Sequence, residues 1–253
     1  MCFDTDSHPP IAPIAGAAVD GAQVTLTAAD GTRFLAYRTR ARDAGRARML
    51  VLPDIRGLFP FYEELALRFA EAGIDALAID YFGRTAGTSP RPADFEGRPH
   101  VDQTTWTGLS ADISAGVAEL TSDRVDARVF AVGFCFGGRL AFDAATLGLG
   151  LVGVIGFYGV PVGPRLDIPA PAEVVDAMDC PVLGLFGGAD PGIPAKMVAT
   201  FEEALSAADV SHELVSYAGA PHSFFDRKAA DFGDAAEDAW RRVLGFVEAR
   251  SSA

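Results

Sequence analysis

Apolar residues fall along this chain in short continuous runs that alternate with stretches of helical spacing. QVTLTA (23–28) and RFLAYRTR (33–40) flank Asp30-Gly31, a hairpin signal. MLVLPDI (49–55) is an apolar run that ends at a Pro-Asp turn. YEELALRFAEAG (62–73) has helical spacing, with Gly73 as its C-cap. IDALAID (74–80) reads as a buried strand. Residues 83–105, rich in Gly, Pro, Asp and Thr, read as a long loop of the kind that covers a site. A helix is expected over 107–121, then the strand RVFAVGF (128–134), followed at once by the helix CFGGRLAFDAATLG. LVGVIGFYG (151–159) and CPVLGLFGGAD (180–190) read as strands, separated by a Pro-rich connection over 160–178. The remaining pattern is helix (196–209), strand (212–219) and a final amphipathic helix (229–250).

After the opening hairpin the strands are apolar throughout and alternate with helices. That pattern predicts an α/β fold, a mostly parallel sheet buried on both faces and joined by right-handed crossovers. Residues 1–20, rich in Pro and Ala, read as an N-terminal arm. No repeat or second core interrupts 21–253, which reads as a single domain. In such sheets a site forms at the carboxyl ends of the strands.

Charge narrows the partners. The chain has 253 residues and a formal net charge of −13, from 21 Lys and Arg against 34 Asp and Glu. Nucleic acid and anionic membrane both require a basic face, so neither is expected as a partner. An anionic ligand would need a local arginine cluster. The N-terminus, with Asp4 and Asp6, has neither the basic start nor the apolar run of a signal peptide. The longest apolar stretch, 151–162, is too short to span a bilayer. Cys2, Cys135 and Cys180 are too few and scattered for a disulfide framework, so a reducing cytoplasm is expected.

Three strand ends carry groups able to work together. Gly133-Phe134-Cys135-Phe136-Gly137 has the form of a nucleophile elbow with Cys in place of Ser. Small residues two positions either side of the nucleophile let the chain cross itself closely. Asp190 ends the GGAD turn, and His222 lies in APHSFF. A free thiol of pKa about 8.5 is only a few per cent ionised at pH 7, a deficit of about 2 kcal/mol. A neighbouring imidazole removes most of that deficit, and a carboxylate holds the imidazole in the right tautomer. The backbone N–H groups of Phe136 and Ile55 are the expected oxyanion donors.

GFCFGG, the GGAD turn and the PHSFF segment together resemble the dienelactone hydrolase (carboxymethylenebutenolidase) family, on the α/β-hydrolase fold. The resemblance runs from about residue 20 to near the end. It implies that Cys135, Asp190 and His222 form the catalytic triad and that no cofactor or metal is needed. Asp54, in LPDIRGLFP, falls where the family has an acidic residue that hydrogen-bonds the resting thiol; there the family carries Glu. Arg84, in IDYFGR, falls on the arginine that binds the substrate carboxylate. Arg227 is the nearest counterpart of a second arginine, one residue further from the histidine than the family spacing. Tyr158 is expected to line the pocket.

The implied substrate is a small ester or lactone, expected to be anionic, turned over through an acyl-thioester. A carboxylesterase of different range, a thiol redox sensor using Cys135 and a non-catalytic binding protein on the same fold are the alternatives. Monomer and homodimer both remain open. His100 and His212 read as surface residues, and Cys180 as structural.

Overall fold

Asp30 and Gly31 turn the chain between β1 (Val19–Thr27) and β2 (Arg33–Ala41), which pair antiparallel. Asp30 Oδ1 accepts the Thr32 N–H at 3.0 Å, and Gly31 takes φ 83°, a conformation that glycine adopts without steric cost. The chain is described by a computed structural model over residues 7–14, 19–226 and 230–251. Of the N-terminal arm, residues 7–14 lie against the first long helix, α1 (Pro60–Glu71): His8 Nδ1 is 2.8 Å from Glu64, and the Ile14 N–H donates to Glu71.

The later strands are β3 (Ala47–Leu52), β4 (Asp75–Ile79), β5 (Arg128–Phe134), β6 (Gly153–Phe157), β7 (Val182–Gly187) and β8 (His212–Tyr217). Their order across one sheet is β1-β2-β4-β3-β5-β6-β7-β8, with every pairing beyond β2–β4 parallel. Strands β3, β4, β6 and β7 are buried at every residue. Continuous apolar runs in the sequence are the signature of that two-sided burial. The outer strands β1 and β8 have solvent-facing positions.

Helices cover both faces. Gly153 of β6 is backed by Phe246 of α7 (Gly233–Ser251), whereas Gly156, an odd number of residues along, is backed by Phe142 of α5 (Phe136–Ala144). Odd spacing on a strand puts the two helices on opposite faces. Phe69 of α1 meets Trp240 of α7 at 4.9 Å, and Phe142 meets Phe201 of α6 (Ala195–Ala207) at 5.0 Å. Thus α1 and α7 share one layer, and α5 and α6 the other. The longest helix between β4 and β5 is α4 (Trp106–Thr121), which sets Gly116 against Leu50 of β3.

Several elements depart from the sequence pattern. The loop expected over 83–105 contains two short helices, α2 (Gly83–Ala86) and α3 (Gly97–Val101). The apolar run 49–55 leaves the sheet at Leu52, because Pro53 has no N–H for the ladder. The last helix starts at Gly233 rather than at 229, which lies outside the described residues. His100 is no bare surface residue: it stacks on Phe95 at 4.8 Å and bonds Thr85. Among the described residues no helix is long and apolar enough to cross a membrane.

Candidate active site

Strand β5 ends at Phe134 and α5 begins at Phe136, so Cys135 alone makes the turn. Its backbone, at φ 55° and ψ −109°, is strained for a residue with a Cβ. The adjoining glycines permit this crossing. A Cβ on Gly133 would lie 1.9 Å from the Gly137 oxygen, and one on Gly137 would lie 2.1 Å from the Leu52 oxygen. A Cβ on Gly138 would lie 2.5 Å from the Phe157 oxygen. The first turn of α5 therefore rests directly on the ends of β3 and β6. Cys135 donates its own N–H to Phe157 at 3.0 Å. Its side chain is half-buried at the start of α5.

Asp190 lies in the turn after β7. Its Oδ1 accepts the Gly192 N–H at 2.8 Å and its Oδ2 lies 2.6 Å from His222 Nδ1. Burial alone would raise the Asp190 pKa. The bond to His222, the imidazole charge and the N–H groups of Gly192 and Ile193 outweigh it and hold the carboxyl below its ordinary range. With Nδ1 turned to Asp190, Nε2 is the ring nitrogen left for proton transfer. The loop carrying His222 packs on the end of β7, where a Cβ on Gly187 would lie 2.4 Å from the Pro221 oxygen.

Tyr158 differs from expectation. It is fully buried, its ring lies 4.8 Å from that of His222, and its hydroxyl donates to Asp226 at 2.8 Å. It backs the histidine rather than lining an open pocket. Five non-glycine residues among those described have φ above zero, and four of them, Cys135, Tyr158, Leu166 and Ser223, cluster around this site. Concentrated backbone strain of this kind marks functional regions.

The end of β3 closes the other side. Asp54 is fully buried; its Oδ1 accepts the Arg56 N–H at 2.9 Å, and its own N–H donates to Tyr62 at 2.9 Å. The Tyr81 hydroxyl donates to the Pro53 carbonyl. Burial, followed by the charges of Asp54, Asp80 and Cys135, pushes the Tyr81 pKa up. In the turn, the N–H groups of Arg56 and Gly57 both donate to Asp54. Phe136, as the first residue of a helix, has no intrahelical acceptor for its N–H.

The arginines change the picture most. Arg84, expected to hold a substrate carboxylate, is committed to two of the protein's own. It lies 2.5 Å from Asp112 of α4 and 2.8 Å from Asp30 of the first hairpin. Asp112 is fully buried. Burial pushes its pKa up to about 6 despite the Arg84 charge. Arg84 thus pins the hairpin to α4. Arg227 lies outside the described residues.

Arg165, by contrast, sits beside the elbow, with its guanidinium 5.2 Å from the Phe136 ring centroid. The sequence signal was a single arginine in a Pro-rich connection, which local pattern alone reads as linker. A second overlooked group, Arg139 of α5, is buried and donates to the carbonyls of Gly163, Ile168 and Pro169. It fastens the connection that carries Arg165.

The model of the dienelactone hydrolase family matches residues 34–251. A carboxymethylenebutenolidase from Rhodococcus opacus is 33% identical over 228 residues, covering 86% of this chain and 87% of its own. A dienelactone hydrolase-like promiscuous phosphotriesterase from metagenomic libraries superposes with a TM-score of 0.75 at 22% identity, covering 93% of this chain and 99% of its own. An esterase from Pyrococcus furiosus does so with a TM-score of 0.72 at 13% identity, covering 98% and 99%; at these identities the two structures establish the fold. The matched span contains the elbow, the GGAD turn and the PHSFF segment on an α/β-hydrolase sheet, and the chain belongs to the dienelactone hydrolase family of carboxylic ester hydrolases.

Proposed function

We propose that the protein hydrolyses small esters or lactones through Cys135, His222 and Asp190. The observation that carries this reading is the 2.6 Å contact from Asp190 to His222 Nδ1, at the same end of the sheet as a cysteine held at φ 55°. His222 Nε2 takes the thiol proton as the Cys135 sulfur attacks the substrate carbonyl carbon. The carbonyl π electrons move onto oxygen, where the N–H groups of Phe136 and Ile55 receive the charge. Collapse of the tetrahedral species breaks the carbon–oxygen ester bond, and His222 returns its proton to the leaving oxygen. In a lactone the leaving oxygen stays tethered to the acyl group. Water, deprotonated by His222, then attacks the thioester and releases the acid and the thiol. Asp190 holds the imidazole orientation and stabilises its cation throughout.

Asp54 is read as the group that holds the resting thiol, from its burial at the β3 end beside Tyr81. Residues 21–253 are taken as one hydrolase domain. Cys135 and Cys180 are not in disulfides, which suits a reducing cytoplasm. Steady-state kinetics of Cys135→Ala test the reading. Turnover of p-nitrophenyl acetate is expected to fall to background, and turnover equal to wild type would contradict it.

A further inference from the structure

The chain after β6 turns back over the elbow as Gly163-Pro164-Arg165-Leu166-Asp167-Ile168. Three fixtures hold this segment. Arg139 donates to Gly163 at 2.9 Å and to the carbonyls of Ile168 and Pro169. Asp167 accepts the Trp106 N–H at 2.9 Å, at the start of α4. Within the segment, the Ile168 N–H donates to Arg165 at 3.0 Å, closing a tight turn in which Leu166 takes φ 55°. A solvent linker has no need of a left-handed leucine, which costs backbone energy. What this turn accomplishes is to present Arg165 over Phe136.

Arg165 is unusual among the arginines around the site. Arg84 is matched by Asp30 and Asp112, Arg91 by Asp80, and Arg98 by Asp102. Among the described residues no carboxylate lies within ion-pair distance of Arg165, and its buried Nε has no hydrogen-bond partner. Burial and the Arg98 charge both act against its protonated form, while Cys135 and Asp102 act in its favour. A half-buried guanidinium with unused donors and no counter-charge is poised for an anion.

We propose that Arg165 is a specificity-determining residue that receives an anionic group of the substrate on the Phe136 side of Cys135, and that Arg139 is the positioning residue that fixes its loop. This rests on the hydrolytic reading only for the identity of the molecule that carries the anion. It moves the anion contact from the β4 end, where Arg84 is already neutralised, to the loop between β6 and β7. Arg139 itself cannot take the role, since its guanidinium is spent on carbonyls and faces Asp143 at 3.8 Å.

The test uses the full chain. Glutarate and neutral glutaramide are titrated by calorimetry into wild type, Arg165→Ala and Arg84→Ala. Glutarate is expected to bind wild type, and about tenfold or more weakly to Arg165→Ala. Its affinity for Arg84→Ala should match wild type, and glutaramide should not distinguish Arg165→Ala from wild type. In parallel, kcat/KM for mono-p-nitrophenyl glutarate should fall about tenfold or more in Arg165→Ala, with that for p-nitrophenyl valerate changed less than about threefold. Arg139→Gln should raise KM for the acidic ester alone and leave kcat in place, a split that general loosening would not give. Absence of glutarate binding by wild type, equal loss for acidic and neutral compounds, or a loss confined to Arg84→Ala would overturn the proposal. The titration needs no turnover. Glutarate held through Arg165 in a protein that hydrolyses neither ester would leave this proposal standing and refute the hydrolytic one.

Discussion

Asp190 has its two oxygens divided between tasks: Oδ1 takes a backbone N–H of its own turn, and Oδ2 faces His222. An Asn at 190 would keep the first contact and present either an oxygen or an amide to the ring. Where it presents the amide, the imidazole tautomer reverses. Asp190→Asn should therefore lower kcat by about 10³–10⁴-fold with a small change in KM; stopped assays at saturating ester would show it, and a KM effect without a kcat effect would count against the role. The positions of Cys135 directly after β5 and of Asp190 in the turn after β7 were legible because each follows an apolar strand and nearby residues shape its turn, whereas His222 lies in the loop beyond the partly exposed β8. Arg84 was misleading for the opposite reason. Its partner Asp30 lies 54 residues away and Asp112 lies 28 away, and no local pattern shows that two carboxylates will converge on one guanidinium. Tyr158 was placed at the right strand end, but its side chain turns inward to Asp226.

At the scale of elements, strands were the readable part. Two-sided burial forces continuous apolar runs, so β3 to β7 could be marked from the sequence, and β5 ends at Phe134 as its pattern predicts. The connections were less legible. Residues 83–105 fold into two short helices held by Arg91 on Asp80 and on the Ala86 and Gly87 carbonyls, and the segment 160–169 is shaped by Arg139 from another element. Arg84 performs such a task between the first hairpin and α4. Arg84→Ala should cost about 1–3 kcal/mol of stability by leaving Asp112 without its partner. The loss should be smaller at pH 5 than at pH 8. With a pKa pushed up to about 6, Asp112 is largely protonated at the lower pH. Urea unfolding at the two pH values measures this, and an equal loss at both would be inconsistent with it.

For the whole molecule, charge sets both solubility and pH response. A net charge of −13 repels anions at long range, so any acidic ligand must be recognised close to the site. Buried carboxylates add a second effect. Asp143 of α5 is pushed up to about 8, because burial outweighs the Arg139 charge 3.8 Å away. Its folded pKa thus lies above the unfolded value of 3.8. Between those values the native state holds a proton that the unfolded chain has released, so stability falls as pH rises through that window. Asp143→Asn should flatten that fall, which a series of urea midpoints from pH 5 to pH 8 would register; unchanged slopes would place Asp143 at an ordinary carboxylate pKa.

In the proposed reaction Cys135 carries the acyl group. The most direct test is mass spectrometry of the intact protein, acid-quenched during the first turnovers of a p-nitrophenyl ester and then digested. An added acyl mass on the peptide that contains Cys135, absent from Cys135→Ala, is the predicted result. Sustained hydrolysis with no acyl group on Cys135, or an acyl group on another residue, would contradict the account.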